Sequence, residues 1–192
     1  MKSFLVLLFA VFSLNIAYTK PVKPKTLLYS ELVPADQRAA FVEAVVLSAE
    51  RLHVHPDWLM VVMRFETAGT FRANIRNRYS GAVGLIQFIP NTAKQLGTSP
   101  TKLAAMTLVE QVAYVEKYFT PYAGRMTDVY DVYIVVFAPA FLGRSNSTIL
   151  YSANSPTLLG RQRYNWNKVL DDNRDGVITM RDVKRQIKRF VP

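Results

Sequence analysis

The sequence predicts a mainly helical fold in one domain, and three observations carry that prediction. From Trp58 to Phe65 every residue except Arg64 is apolar, and a helix apolar on nearly all sides belongs in a protein interior. Between Ala35 and Leu52, the residues Phe41, Ala44, Val45, Leu47, Ser48 and Leu52 form a mostly apolar stripe at helical spacing. The chain has 192 residues, half of them hydrophobic, which is ample for one core and argues against disorder.

The elements follow in order. Lys2 and the apolar run to about Tyr18 have the layout of a secretory signal peptide, assigned to residues 1–19, with Ala17 and Thr19 as the small residues near a cleavage point. An uncleaved anchor is the alternative. Export to the periplasm or the outside, on a wall or a virion, is therefore expected, with no membrane span left after cleavage. No cysteine is present, so the domain rests on its core alone. A net charge of +10 draws an exported protein towards anionic surfaces. Nucleic acid is not an expected partner, because no binding motif appears.

Residues 20–34, with the run Lys20 to Lys25, are predicted to be a linker, because its prolines disfavour helix. A scaffold helix then runs from Ala35 to about Leu52. His53 and His55 read as loop histidines rather than metal ligands, since that spacing is poor metal geometry. Pro56 suits a first helical position. At the end of the apolar run stands Glu66, continuing the stripe of Leu59, Val62 and Met63. Apolar neighbours and the negative end of a helix dipole both raise a carboxylate's pKa. A Glu protonated near neutral pH is what a general acid requires. The competing reading is an ion pair with Arg64, Arg72 or Arg76.

Thr67 to Ser80 reads as a basic loop. Gly81 and Gly84 permit close backbone approach, and the Gln87 amide can both donate and accept. A short helix follows from Pro90 to Leu96, stopped by Gly97. Leu103 to Thr120 is predicted as one helix, and Tyr130 to Phe141 as another that Pro139 kinks or ends.

The run Glu66-Thr-Ala-Gly-Thr-Phe71, then Ser80-Gly-Ala-Val-Gly-Leu-Ile-Gln87 and Pro90-Asn-Thr-Ala-Lys-Gln-Leu-Gly97, resembles the lytic transglycosylase domain of the goose-lysozyme-like superfamily. The resemblance covers some forty residues. It implies a lysozyme-like fold over residues 35–160, with Glu66 as catalytic acid and base. Thr67, Gly81, Gly84 and Gln87 would position the glycan. Relatives carry an Ala-Tyr-Asn triplet where this chain has Phe137-Ala-Pro-Ala-Phe141, a variation similar to the phage-type branch; Tyr133 or Tyr130 would supply the missing hydroxyl.

Asp171 to Asp182 fits the twelve-residue EF-hand calcium loop, which makes residues 161–192 an EF-hand-like extension. Asp171, Asn173 and Asp175 offer side-chain oxygens, Val177 a carbonyl, and Asp182 stands where Glu is usual. Ca2+ is expected in a structural role. Trp166, Val169 and Leu170 before the loop, and Val183, Ile187 and Phe190 after it, form short amphipathic flanks.

The combined expectation is a monomeric enzyme that cleaves the MurNAc-β-1,4-GlcNAc bond of peptidoglycan to give 1,6-anhydro-muropeptides. Two alternatives stay open: a hydrolytic lysozyme on the same fold, and a non-catalytic, calcium-stabilised peptidoglycan-binding protein.

Overall fold

A computed structural model describes residues 26–192, and the expected signal peptide lies outside them. Eight helices and one two-stranded sheet make up this part of the chain: α1 (Arg38–Leu52), α2 (Pro56–Glu66), α3 (Pro90–Gln95), α4 (Pro100–Ala104), α5 (Leu108–Phe119), α6 (Val129–Phe137), β1 (Ile149–Ser152), α7 (Leu158–Asn167), β2 (Val177–Thr179) and α8 (Met180–Lys188). The predicted mainly helical architecture is present.

Local sequence chemistry sets most helix ends. Proline opens α2, α3 and α4, where its missing N–H leaves no bond unmade. The His55 side chain accepts from the Asp57 N–H and caps α2, so this histidine has a structural task. The helix expected from Leu103 to Thr120 is broken at residues 105–107. Thr107 and Glu110 form a reciprocal capping box there, and that local bonding starts α5 afresh. At the end of α6 the chain turns at Ala138 into a short 3-10 segment that begins with Pro139.

Packing joins these pieces around α2, whose Leu59, Met60, Val61, Val62 and Met63 are all buried. α1 packs on α2 and α5, and α6 on the other flank of α2. Ser48 and Arg51 of α1 both bond the Glu116 carboxylate of α5, the arginine through two nitrogens at 2.6 Å. That carboxylate is consequently held below its usual pKa, chiefly by Arg51.

The end of the segment read as linker is packed rather than free. Residues 26–34 are part of the core: Leu27 and Val33 are buried, and the Leu28 N–H donates to Asp57 at 2.9 Å. The C-terminal residues are likewise integrated. β2 pairs antiparallel with β1, and α8 packs on α2 and α6 with Val183 and Ile187 buried.

Candidate functional site

Glu66 ends α2, a helix with no exposed residue. It keeps partial contact with solvent, yet protein surrounds its carboxyl, and it forms neither a salt bridge nor a side-chain hydrogen bond among the described residues. Burial alone pushes its pKa up to about 8. The expected alternative, an ion pair with Arg64, Arg72 or Arg76, does not form among the described residues. Arg64 instead stacks over the rings of Tyr29 and Phe190, 5.8 and 5.3 Å from their centroids.

Two tyrosines share this environment. Tyr133 of α6 is buried, and its ring meets Phe65 edge-on at 5.0 Å. Desolvation, then the Glu66 charge, raises its pKa. Tyr118 of α5 is pushed up to about 12 by burial, with Tyr122 and Glu66 adding to the effect. Its hydroxyl donates to the Val135 carbonyl at 2.7 Å. Tyr130, by contrast, lies under the Lys184 ammonium and belongs to the α8 contact. Of the two tyrosines considered for the missing hydroxyl, Tyr133 is the one beside the acid.

Tyr118 also lines a cleft of about 310 Å³ together with Gln87, Ile86, Thr92, Phe137 and Pro139. A larger hollow of about 610 Å³ lies over the 168–174 loop, away from Glu66. The 310 Å³ cleft has an apolar lining with a few polar tips, the composition of a small-molecule or glycan site. Gln87 sits at its edge in a left-handed conformation with φ 51°, its amide nitrogen donating to the Gly84 carbonyl at 3.1 Å. Ala68 and Phe71, just past Glu66, also have positive φ, at 48° and 43°. Non-glycine residues in that region store strain, and such strain gathers at functional sites.

The loop that presents Gln87 hangs on a side chain the sequence reading did not single out. Buried Gln111 of α5 accepts from the Leu85 N–H at 2.7 Å and donates to the Ala73 and Leu103 carbonyls at 3.0 and 2.8 Å. Gly84 packs directly on this amide, so its lack of a side chain serves packing rather than substrate approach. Its own N–H is taken by the Ile75 carbonyl. Thr67 needs a similar correction. It is wholly buried, its hydroxyl donating to the Met63 carbonyl at 2.7 Å and accepting from the Phe71 N–H at 3.2 Å. Thr67 therefore shapes the turn after Glu66 and offers nothing to a glycan. Gly81, with φ 70°, lies in a tight turn closed by its N–H on the Asn77 carbonyl.

The acidic loop forms a second cluster. Asp171 accepts from the Tyr164 hydroxyl at 2.7 Å and from the N–H groups of Gly176 and Asp175. Asn173 donates to Asp175 at 2.8 Å, and Asp175 accepts from the Val177 N–H at 2.9 Å. Gly176 takes the sharp turn at φ 83°. Asp182 turns to Thr179 in a capping box for α8, which engages one of its oxygens. Among the described residues no three acidic, histidine or cysteine side chains converge as a metal-holding group. The donors that lie near one another are the oxygens of Asp171, Asn173 and Asp175, with the backbone turning at Gly176; all are hard ligands of the kind calcium takes.

No known family profile, curated protein or solved structure matches this chain.

Proposed function

We propose that the chain is a peptidoglycan lytic transglycosylase on a lysozyme-like fold, with Glu66 as its acid and base. The observation that carries the reading is Glu66 itself. It is a half-buried carboxyl without a cation partner, raised to about 8 by burial and close enough to raise the pKa of Tyr118, which lines the 310 Å³ cleft that Glu66 itself does not line. Such a group is protonated at neutral pH and able to give up its proton.

In this reading Glu66 protonates the glycosidic oxygen as the bond from muramic acid C1 breaks, and the N-acetylglucosamine leaves as an alcohol. The resulting carboxylate takes the proton of the muramic acid C6 hydroxyl, whose oxygen bonds to C1. A 1,6-anhydro ring forms, water is not consumed, and Glu66 ends protonated again. Hydrolysis by the usual route needs a second carboxylate astride the bond. Asp128 and Asp131 are both committed to the start of α6: Asp128 accepts from the Asp131 N–H, and Asp131 from the Thr127 N–H and hydroxyl. That favours the intramolecular route. Gln87 and the Tyr133 hydroxyl would position the sugars, in a monomer acting outside the cytoplasm.

Asp171, Asn173, Asp175 and the Val177 carbonyl would hold calcium as an EF-hand-like loop. The ion would supply a rigid electrostatic crosslink between α7 and α8, with no part in bond cleavage.

Mass spectrometry of fragments released from purified peptidoglycan tests the reading, with Glu66→Gln alongside. Anhydro-muropeptides from the wild type, and turnover lowered at least about a hundredfold in the variant, are expected. Hydrated reducing ends would move the chemistry to a hydrolase. Unchanged activity in Glu66→Gln would remove Glu66 from the mechanism, and binding without release would make the chain a wall-binding protein.

A further inference from the structure

Among the described residues, α7 is the one helix of eight or more residues with no buried residue. It touches the domain along one side only. Tyr164 reaches back to Asp171, and Gly160 faces the Ser155 and Thr157 side chains. The opposite side is apolar and open: Leu158 is 66% exposed, Leu159 50%, Trp166 71% and Val169, in the turn that follows, 81%. At 3.6 residues per turn these side chains share a stripe about 100° wide, interrupted only by Gln162. Single exposed apolar residues need no explanation, but a contiguous patch marks an interaction surface.

Cations border the stripe on both sides. Arg161 and Lys168 lie along one edge and Arg163 along the other, all exposed. Between Pro156 and Leu170 there is no acidic residue. The carboxylates that follow are already engaged. Asp171 is bonded to Tyr164 and the loop N–H groups, and Asp172 to Arg185 and Arg189 at 3.1 and 3.3 Å. Arg161 donates to the Ser155 carbonyl at 2.6 Å, and none of the three cations forms a salt bridge among the described residues.

From this pattern we propose that α7 lies flat on an anionic lipid bilayer, with Leu158, Leu159, Trp166 and Val169 in the acyl boundary and the three cations on lipid phosphates. A tryptophan within an apolar stripe, flanked by Arg and Lys, is the layout of an interfacial helix. An acidic glycan would satisfy the cations and could stack on Trp166, but it offers no apolar volume for two leucines and a valine. A bilayer supplies both. The surface is independent of the Glu66 chemistry and stands or falls apart from it.

The test uses the full chain carrying Trp58→Phe, so that Trp166 is the only tryptophan. Its emission is followed with vesicles of phosphatidylcholine alone and with phosphatidylglycerol added, and with bromine-labelled acyl chains as quenchers. A blue shift and quenching on the anionic vesicles are expected. Each neutralisation among Arg161, Arg163 and Lys168 should weaken binding roughly fivefold. Trp166 reports only its own surroundings, so vesicle attachment through residues 1–25 leaves this readout unmoved. Unchanged emission, even while the chain sediments with vesicles, would overturn the proposal. So would equal shifts on neutral and anionic vesicles that the charge changes do not alter. A blue shift that grows with protein concentration in the absence of lipid would replace the bilayer with a second copy of the chain.

Discussion

Glu66→Gln perturbs one atom and leaves the shape of the side chain nearly intact, so its effect on stability isolates the titration of Glu66. The folded-state pKa is about 8 against an ordinary 4.5. Between those values the folded protein keeps a proton that the unfolded chain has released. Stability from this group is therefore full below about pH 4.5, falls as pH rises towards about 8, and is level above that. The gap of roughly 3.5 pH units, at about 1.4 kcal/mol each, sets a ceiling near 5 kcal/mol. Glu66 keeps some solvent contact, which brings the expected figure to about 3–5 kcal/mol. Glutamine never ionises. Denaturant unfolding of wild type and Glu66→Gln should give nearly equal stabilities at pH 4.5, with the variant ahead by about 3–5 kcal/mol at pH 9. For a domain of this size that is on the order of 10 °C in melting temperature. Because the comparison is a difference, groups that do not sense the Glu66 charge cancel, and Tyr118 and Tyr133, which do, titrate above this pH range in the folded protein. Two curves that run parallel from pH 4.5 to pH 9 would mean that Glu66 titrates normally, and the acid role would lose its physical basis. Catalysis should follow the same proton, with wall cleavage declining as pH passes about 8.

Gly84→Ala should cost about 2–4 kcal/mol in chemical denaturation, because a Cβ at φ +83° meets the Gln111 amide and would displace its three hydrogen bonds. A near-neutral result would show that the loop does not depend on Gln111. Calcium added at about 10 mM to chelator-treated protein should stabilise it by about 1.4–2.7 kcal/mol if the loop binds in the millimolar to submillimolar range. Asn173→Ala, which removes a side chain bonded only to Asp175, should flatten that response; an unchanged melt in wild type would dismiss the ion.

How much of this was legible in the sequence depends on how far each interaction reaches along the chain. The buried α2 and its terminal carboxyl were legible, because an apolar run, an opening proline and the stripe at residues 59, 62, 63 and 66 are all local patterns. The start of α5 was also written locally, in Thr107 and Glu110, but the apolar spacing that runs through residues 103–119 masked it. Gln111 was not legible. Its partners are 8, 26 and 38 residues away, and nothing beside it in sequence marks it as the post on which the Gln87 loop hangs. The Thr67 hydroxyl was misjudged for another reason: a resemblance assigns a residue type to a position, but only the turn decides whether the hydroxyl faces a cleft or a carbonyl. Residues 26–34 looked like linker because a Pro-rich stretch precedes them, while the contact that holds them, Leu28 on Asp57, spans 29 residues. Tyr118 went unnoticed as a site residue since its helix has apolar residues on more than one face, and only the long-range bond of its hydroxyl to the Val135 carbonyl of α6 shows which side it takes.

Keeping a carboxyl protonated in so basic a chain requires that cations stay off it, and the end of α2 shows how this is done. The nearest cation in sequence is Arg64. Residues two apart on a helix point to different sides, so Arg64 starts out facing away from Glu66. Tertiary contacts then fix it there. Its guanidinium rests against Tyr29 from the N-terminal segment and Phe190 from the residues after α8, and the Tyr29 hydroxyl donates to the Phe190 carbonyl at 2.7 Å. Gly69 closes over the same guanidinium, where any side chain would collide with it. The Arg64 Nε is buried with no hydrogen-bond partner, a cost that ring contacts offset only in part. Had Arg64 turned to Glu66, that cost would vanish and an opposite charge would lower the carboxyl's pKa, removing the proton the proposed chemistry needs. Phe190 meanwhile meets Phe65 edge-on at 5.4 Å, and Phe65 meets Tyr133 on its other side. The residues on either side of α2 in sequence and at the far C-terminus thus converge on the two positions before Glu66. Burial is what holds the acid neutral, and that clamp keeps the nearest cation in sequence from undoing it.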